Sequence, residues 1–178
     1  MKELVLIAAA LSVFLPLLVL QRVKVEPSKT LSQHISMTLA TVWLGRVLIV
    51  LSSVLVLAWF YGWYVPTYGA DVILQSLFVF GTLCATVIGV VPYYASTLAG
   101  VIHDIFSWLY VFTLPILLLY WSLHETGPAV SVCIVAALLQ LSMLVLGLVK
   151  PASRNFVLYF QTGYIVLFGL TLVAITYL

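Results

Sequence analysis

The sequence predicts an all-α protein, a polytopic transmembrane bundle of six helices, and two observations carry that prediction. Of 178 residues, 65% are hydrophobic and 7% are charged, whereas a water-facing domain carries about a quarter charged residues. Seven basic and five acidic side chains cannot cover a soluble globule of this size, so the surface must face lipid. The apolar residues also fall into six runs, 4–20, 36–61, 72–92, 98–121, 128–149 and 155–177. These runs approach the roughly 20 residues a helix needs to cross a hydrocarbon core of about 30 Å. Barrel strands would instead show alternating segments of about ten residues.

The first run follows Lys2 and ends in Leu20-Gln21-Arg22-Val23-Lys24. No small-x-small cleavage pattern follows it, which favours a retained first span over a signal peptide. Glu26-Pro27-Ser28-Lys29 makes the first break, and Tyr61-Gly62-Trp63-Tyr64-Val65-Pro66 reads as an interfacial turn ending the second span. The third span carries Gly81, Ala85 and Gly89 at four-residue spacing, a small-residue stripe expected to serve close helix packing within the chain. Pro92-Tyr93-Tyr94 separates it from the fourth span. His124-Glu125-Thr126-Gly127-Pro128 and Lys150-Pro151-Ala152-Ser153-Arg154 bound the fifth. Pro16 and Pro115 lie inside spans, where they should kink the helix or free a carbonyl.

No loop is long enough to fold alone, so residues 1–178 read as one six-span domain in the cell membrane, with the lipid bilayer as its first partner. Cys84 and Cys133 lie in apolar runs and read as small packing residues, not a structural disulfide. A net charge of +2 is too small and too spread out for nucleic-acid binding.

The loops after spans one, three and five share one side of the membrane. They hold Arg22, Lys24, Lys29, Lys150 and Arg154, against Lys2, Glu3, Asp71 and Glu125 on the other. The positive-inside rule then places both termini outside.

Ionisable residues within spans are costly and become functional candidates by default. On the fourth span His103 and Asp104 lie about 8–9 Å past its start at 1.5 Å per residue, with Ser107 and Tyr110 on the His103 face. Near the second span His34, Thr38, Thr41 and Gly45 form a stripe, with Arg46 off it. Either this span begins near residue 36 and Arg46 is deep, or residues 30–45 lie in the interface. Arg154 stands on the same side. Together His34, Ser36, His103, Asp104 and Arg154 predict a polar pocket opening to one face, with Asp104 pairing with Arg46 or Arg154. Gln140 and Gln161 read as interhelical hydrogen-bonding groups, and His124, on the opposite side, as solvated.

Leu31-Ser32-Gln33-His34-Ile35-Ser36, opening the second span, resembles the region of a His-x-Ser element in a family of six-span prokaryotic membrane proteins known as domain of unknown function 998. Thr97 to Asp104, followed by Phe112 and Pro115, is similar to that family's fourth-span pattern of glycine, histidine, aromatic and proline. Arg154 falls where the family often has an arginine. Val91-Pro92-Tyr93-Tyr94 departs from the family, which often has Phe-Pro and an acidic residue there. The resemblance, distantly shared with proteins of the FRAG/DRAM type, implies a six-span fold and a site position but no activity. It also implies an N-terminus inside, opposite to the charge rule.

Three functions compete. A binding protein would hold a lipid headgroup or small polar ligand at His34 and His103, since arginine and histidine suit phosphate or carboxylate. An accessory subunit of a larger membrane complex, such as a respiratory one, would use its apolar faces on other subunits. A redox or enzymatic protein would ligate haem or a metal through His34 and His103. No catalytic or metal-binding sequence motif accompanies them, which favours a non-enzymatic role.

Overall fold

In the computed structural model, which describes residues 1–91, 93, 96–149 and 155–178, most of the described residues are helical and none is in a strand. Helix α1 spans Leu4–Leu20, a short α2 spans Leu31–Ile35, and α3 spans Leu39–Trp59. A π-helical turn at Phe60–Tyr64 runs on into α4, Val65–Tyr68. Helices α5 (Val72–Val90), α6 (Thr97–Trp121), α7 (Pro128–Val149) and α8 (Val157–Tyr177) complete the chain. Among the described residues, five helical rods are long and apolar enough to cross a bilayer, counting Leu39–Tyr68 as one. The 17-residue α1 sits at the lower limit of a spanning length. The chain is therefore an integral membrane protein built as an all-α bundle.

Each span packs on its sequence neighbours, α1 on α3, α3 on α5, α5 on α6, α6 on α7 and α7 on α8, and α8 returns to α1. The six spans form a closed ring in chain order. Both termini lie at one end, called proximal here. Lys2 Nζ stands 4.4 Å from the centre of the Tyr177 ring and 5.5 Å from that of Trp63, joining the two chain ends to the far end of α3.

The expected boundaries of the second span both move by more than two residues. The second span does not begin at residue 36, because Thr38 starts a new helix. Its hydroxyl accepts from the Thr41 amide while the Thr41 hydroxyl accepts from the Thr38 amide, a reciprocal cap that satisfies two orphan donors. Thr30 and Gln33 do the same for α2. The expected turn at 61–66 is helical. Pro66 removes one backbone donor, and the chain absorbs this with a wider turn in which the Val65 amide bonds back to Phe60. The helix ends instead at Gly69, whose φ of 77° suits glycine.

The ring is unevenly filled. At its proximal half Trp59, Phe60, Tyr64, Phe78 and Trp121 are fully buried and pack ring to ring. Phe60 and Phe78 stack with centroids 3.9 Å apart. Leu118 joins Ala136 and Ala137 between α6 and α7. The small-residue stripe on α5 packs inside the ring: a Cβ on Gly89 would fall 2.6 Å from Ile49 Cγ2 of α3, and one on Gly81 3.6 Å from Thr113 of α6. The distal half, by contrast, is hollow.

Candidate functional site

His34 is fully buried on α2. Its Nδ1 lies 2.8 Å from the Thr30 carbonyl, which can only accept, so Nδ1 carries the proton. Nε2 then accepts from the Glu26 amide at 3.0 Å. Both ring nitrogens are spent on holding the 26–30 loop over α2. The same loop is fastened to α8, where the Leu158 amide donates to the Pro27 carbonyl and Gln161 Oε1 accepts from the Leu31 amide. Glu26 pairs with Lys29 at 3.0 Å, and this hydrogen bond holds its carboxyl below the usual glutamate range. Haem or metal ligation by His34 would have to take Nε2 from the Glu26 amide.

His103, on the second turn of α6, is 4% exposed. Its Nδ1 donates to the Val91 carbonyl at 2.9 Å, and the Tyr93 ring stands edge-on to it at 5.4 Å. Its Nε2 is buried with no hydrogen-bond partner among the described residues. His103 lines a cavity of about 20 Å³ whose walls also include Ser32, Ser36, Arg46, Ile49 and Gly89. Arg46 Nε is also buried and unpartnered, and its guanidinium lies 5.3 Å from the centre of the Trp43 ring. Arg46 lies within α3, seven residues after its first residue.

Of the predicted site residues, the structure gathers Ser36 and His103 around one niche and adds Arg46 to them. His34 lies under the neighbouring loop and is not part of the niche wall. Asp104 is exposed on the outer surface of α6, and no ion pair joins it to Arg46 among the described residues. Consecutive helical residues point about 100° apart, so turning His103 inward turns Asp104 out. Arg154, Pro92 and Tyr94 lie outside the described residues.

Beside the niche, and sharing Ser32, Ile35, Ile49 and Ile88 with it, lies a second cavity of about 300 Å³. All six spans contribute to its wall, through residues such as Leu15, Ser52, Ile88, Trp108, Leu144 and Phe160. Its polar groups are mostly engaged elsewhere. Ser12 and Ser52 bond to each other and to the Ala8 carbonyl, Gln161 caps α2, and the Tyr164 hydroxyl donates to the Val111 carbonyl. Pro115 is four residues after Val111 and has no N–H to offer it. Tyr164 thus occupies an acceptor that the proline frees.

The proximal end holds a polar network that the sequence reading missed. Glu125 Oε1 accepts from the Tyr64 hydroxyl at 2.6 Å and from Trp121 Nε1 at 2.8 Å. Asp71 caps α5 through the Leu74 amide at 2.8 Å, accepts from the Tyr120 hydroxyl at 2.5 Å, and has His124 Nε2 at 3.6 Å. His124 is therefore packed against Asp71 and the Tyr120 ring, not merely solvated. The missed signal was the coincidence of tyrosines, tryptophan and carboxylates at span ends on one side. Comparison of the chain with family models, curated proteins and solved structures finds no match.

Proposed function

We propose that this is a cell-membrane protein that binds one single-chain amphiphile, with the chain in the distal cavity and the head toward the His103 niche. The observation that carries this reading is the adjacency of a large apolar pocket and a small polar one in the distal half of the ring. At about 300 Å³, the larger cavity has about twice the volume of an apolar void of ~150 Å³ that stays dry and holds benzene. It also falls at the lower end of the roughly 300–1,000 Å³ of ligand pockets. Water has little to bond to there, so an alkyl or isoprenoid chain is the natural filling. The resemblance to the six-span family supports a site on this face and adds no chemistry.

Trp108 lines the cavity and supplies a test. Dibrominated fatty chains titrated into phosphatidylcholine nanodiscs carrying the protein should quench Trp108 with a saturable component at low mole fraction. Ser107→Phe, which places a ring in the cavity, should remove that component, and Trp108→Phe should remove the signal. Quenching that only tracks the mole fraction of brominated lipid, equally in wild type and Ser107→Phe, would mean surface lipid alone and would reject the reading.

A further inference from the structure

The head end of this ligand can be read from two atoms, an inference that rests on the cavity reading above. Two residues that line the same 20 Å³ niche, Arg46 and His103, each carry a buried nitrogen without a partner, Nε and Nε2. Unsatisfied buried polar atoms are rare and costly, and two on one small void call for a common partner. Their chemistry is complementary. Arg46 Nε always carries a hydrogen and can only donate. His103 commits its Nδ1 hydrogen to the Val91 carbonyl, so the neutral ring offers a lone pair at Nε2. One atom that accepts from the arginine and donates to the histidine satisfies both. A hydroxyl oxygen does this, as a water oxygen would; a carboxylate or a fully ionised phosphate has no hydrogen to give Nε2.

The size agrees with that choice. A void of about 20 Å³ slightly exceeds the roughly 10–15 Å³ that one water-sized group occupies on this measure. It admits one oxygen and excludes a whole phosphate. Ser32 and Ser36 on the wall add further hydroxyl contacts without charge. Ser32, Ile35, Ile49 and Ile88 border both cavities, so the two lie side by side with only these side chains between them.

We infer that the His103–Arg46 niche receives the hydroxyl head of a single-chain neutral lipid, a long-chain alcohol or a monoacylglycerol. The class is set by one oxygen that accepts from Arg46 Nε and donates to His103 Nε2.

The experiment measures thermal unfolding of the full chain in phosphatidylcholine nanodiscs with dodecanol, monododecanoylglycerol, dodecanoate or dodecane at equal mole fraction. Dodecanol should raise the midpoint most, with dodecane and dodecanoate well behind. A response to monododecanoylglycerol matching dodecanol would assign the glyceride source, and a weaker one the simple alcohol. His103→Asn keeps an amide donor for Val91 but lacks the Nε2 lone pair, and Arg46→Lys keeps the charge but lacks Nε–H. Each should weaken dodecanol about tenfold while leaving dodecane unchanged. Should a variant fail to fold, the four-ligand series on wild type still decides. Tighter binding of dodecanoate than dodecanol would overturn the hydroxyl assignment in favour of an anion. Equal binding of dodecane and dodecanol would show that the head is not read. Both results leave the cavity reading intact. Stabilisation by none of the four would remove both.

Discussion

Pro115 and Tyr164 show how a single residue is accommodated in lipid. In the hydrocarbon core a freed carbonyl finds no water, so a proline inside a span must have its acceptor satisfied by a neighbour. Tyr164, 5% exposed on α8, gives its hydroxyl to the Val111 carbonyl that Pro115 leaves open. Tyr164→Phe should therefore cost about 1–2 kcal/mol, above the ~0.6 average for polar contacts between membrane helices, because it strands a buried acceptor. In a Pro115→Ala background the restored amide can bond to Val111 within the helix, and the same substitution should cost much less. Reversible denaturant titration of the four proteins measures this coupling; equal costs in both backgrounds would remove the link. The proline was visible in the sequence and its freed carbonyl could be foreseen. Its partner could not, because a residue 53 positions away is brought there only by the ring.

At the scale of elements, the spans were legible because hydrocarbon thickness acts on composition alone: 4–20 and 128–149 match α1 and α7 at both ends. What failed was punctuation. Proline at 66 and aromatics at 61–64 look like a turn, yet a helix can pass through them by widening. Asp71 is a more faithful boundary, since its carboxylate caps α5. The Leu74 amide holds its carboxyl below the ordinary aspartate range, with the Tyr120 hydroxyl and His124 contributing in the same direction. A carboxylate depressed in the folded state contributes stability above the unfolded pKa, near 4, and loses it as pH falls through the folded value. Thermal stability should thus hold from neutral pH to the aspartate range and then decline. Asp71→Asn keeps a capping oxygen but does not titrate, so it should make that decline shallower. An identical acid profile in wild type and Asp71→Asn would contradict the assignment.

Across the whole molecule the contrast is between a closed proximal half and a hollow distal half. Of the polar residues singled out in the sequence, Ser36 and His103 line one niche, His34 lies outside its wall and Asp104 faces outward. The cavity was not readable, though its signal lay in the placement of small residues. Ser12, Ser52, Ser53, Ala85 and Ser107 border it, while the large aromatics crowd the other end. A protein shaped only for stability would fill that space, since cavity filling commonly adds about 0.5–2 kcal/mol. The same enlargement, alanine to leucine, should therefore have opposite effects at the two ends. Ala137 is fully buried against Leu118, so Ala137→Leu overpacks a closed interface and should cost about 1–3 kcal/mol. Ala85 borders the hollow half, so Ala85→Leu has space to occupy. In detergent stripped of lipid, Ala85→Leu should raise the unfolding midpoint while abolishing the saturable quenching of Trp108 by brominated chains. A gain in stability coupled to a loss of binding is the signature of space kept for a ligand. If Ala85→Leu destabilised the chain as Ala137→Leu does, the distal half would be packed after all and the amphiphile would have no place in it.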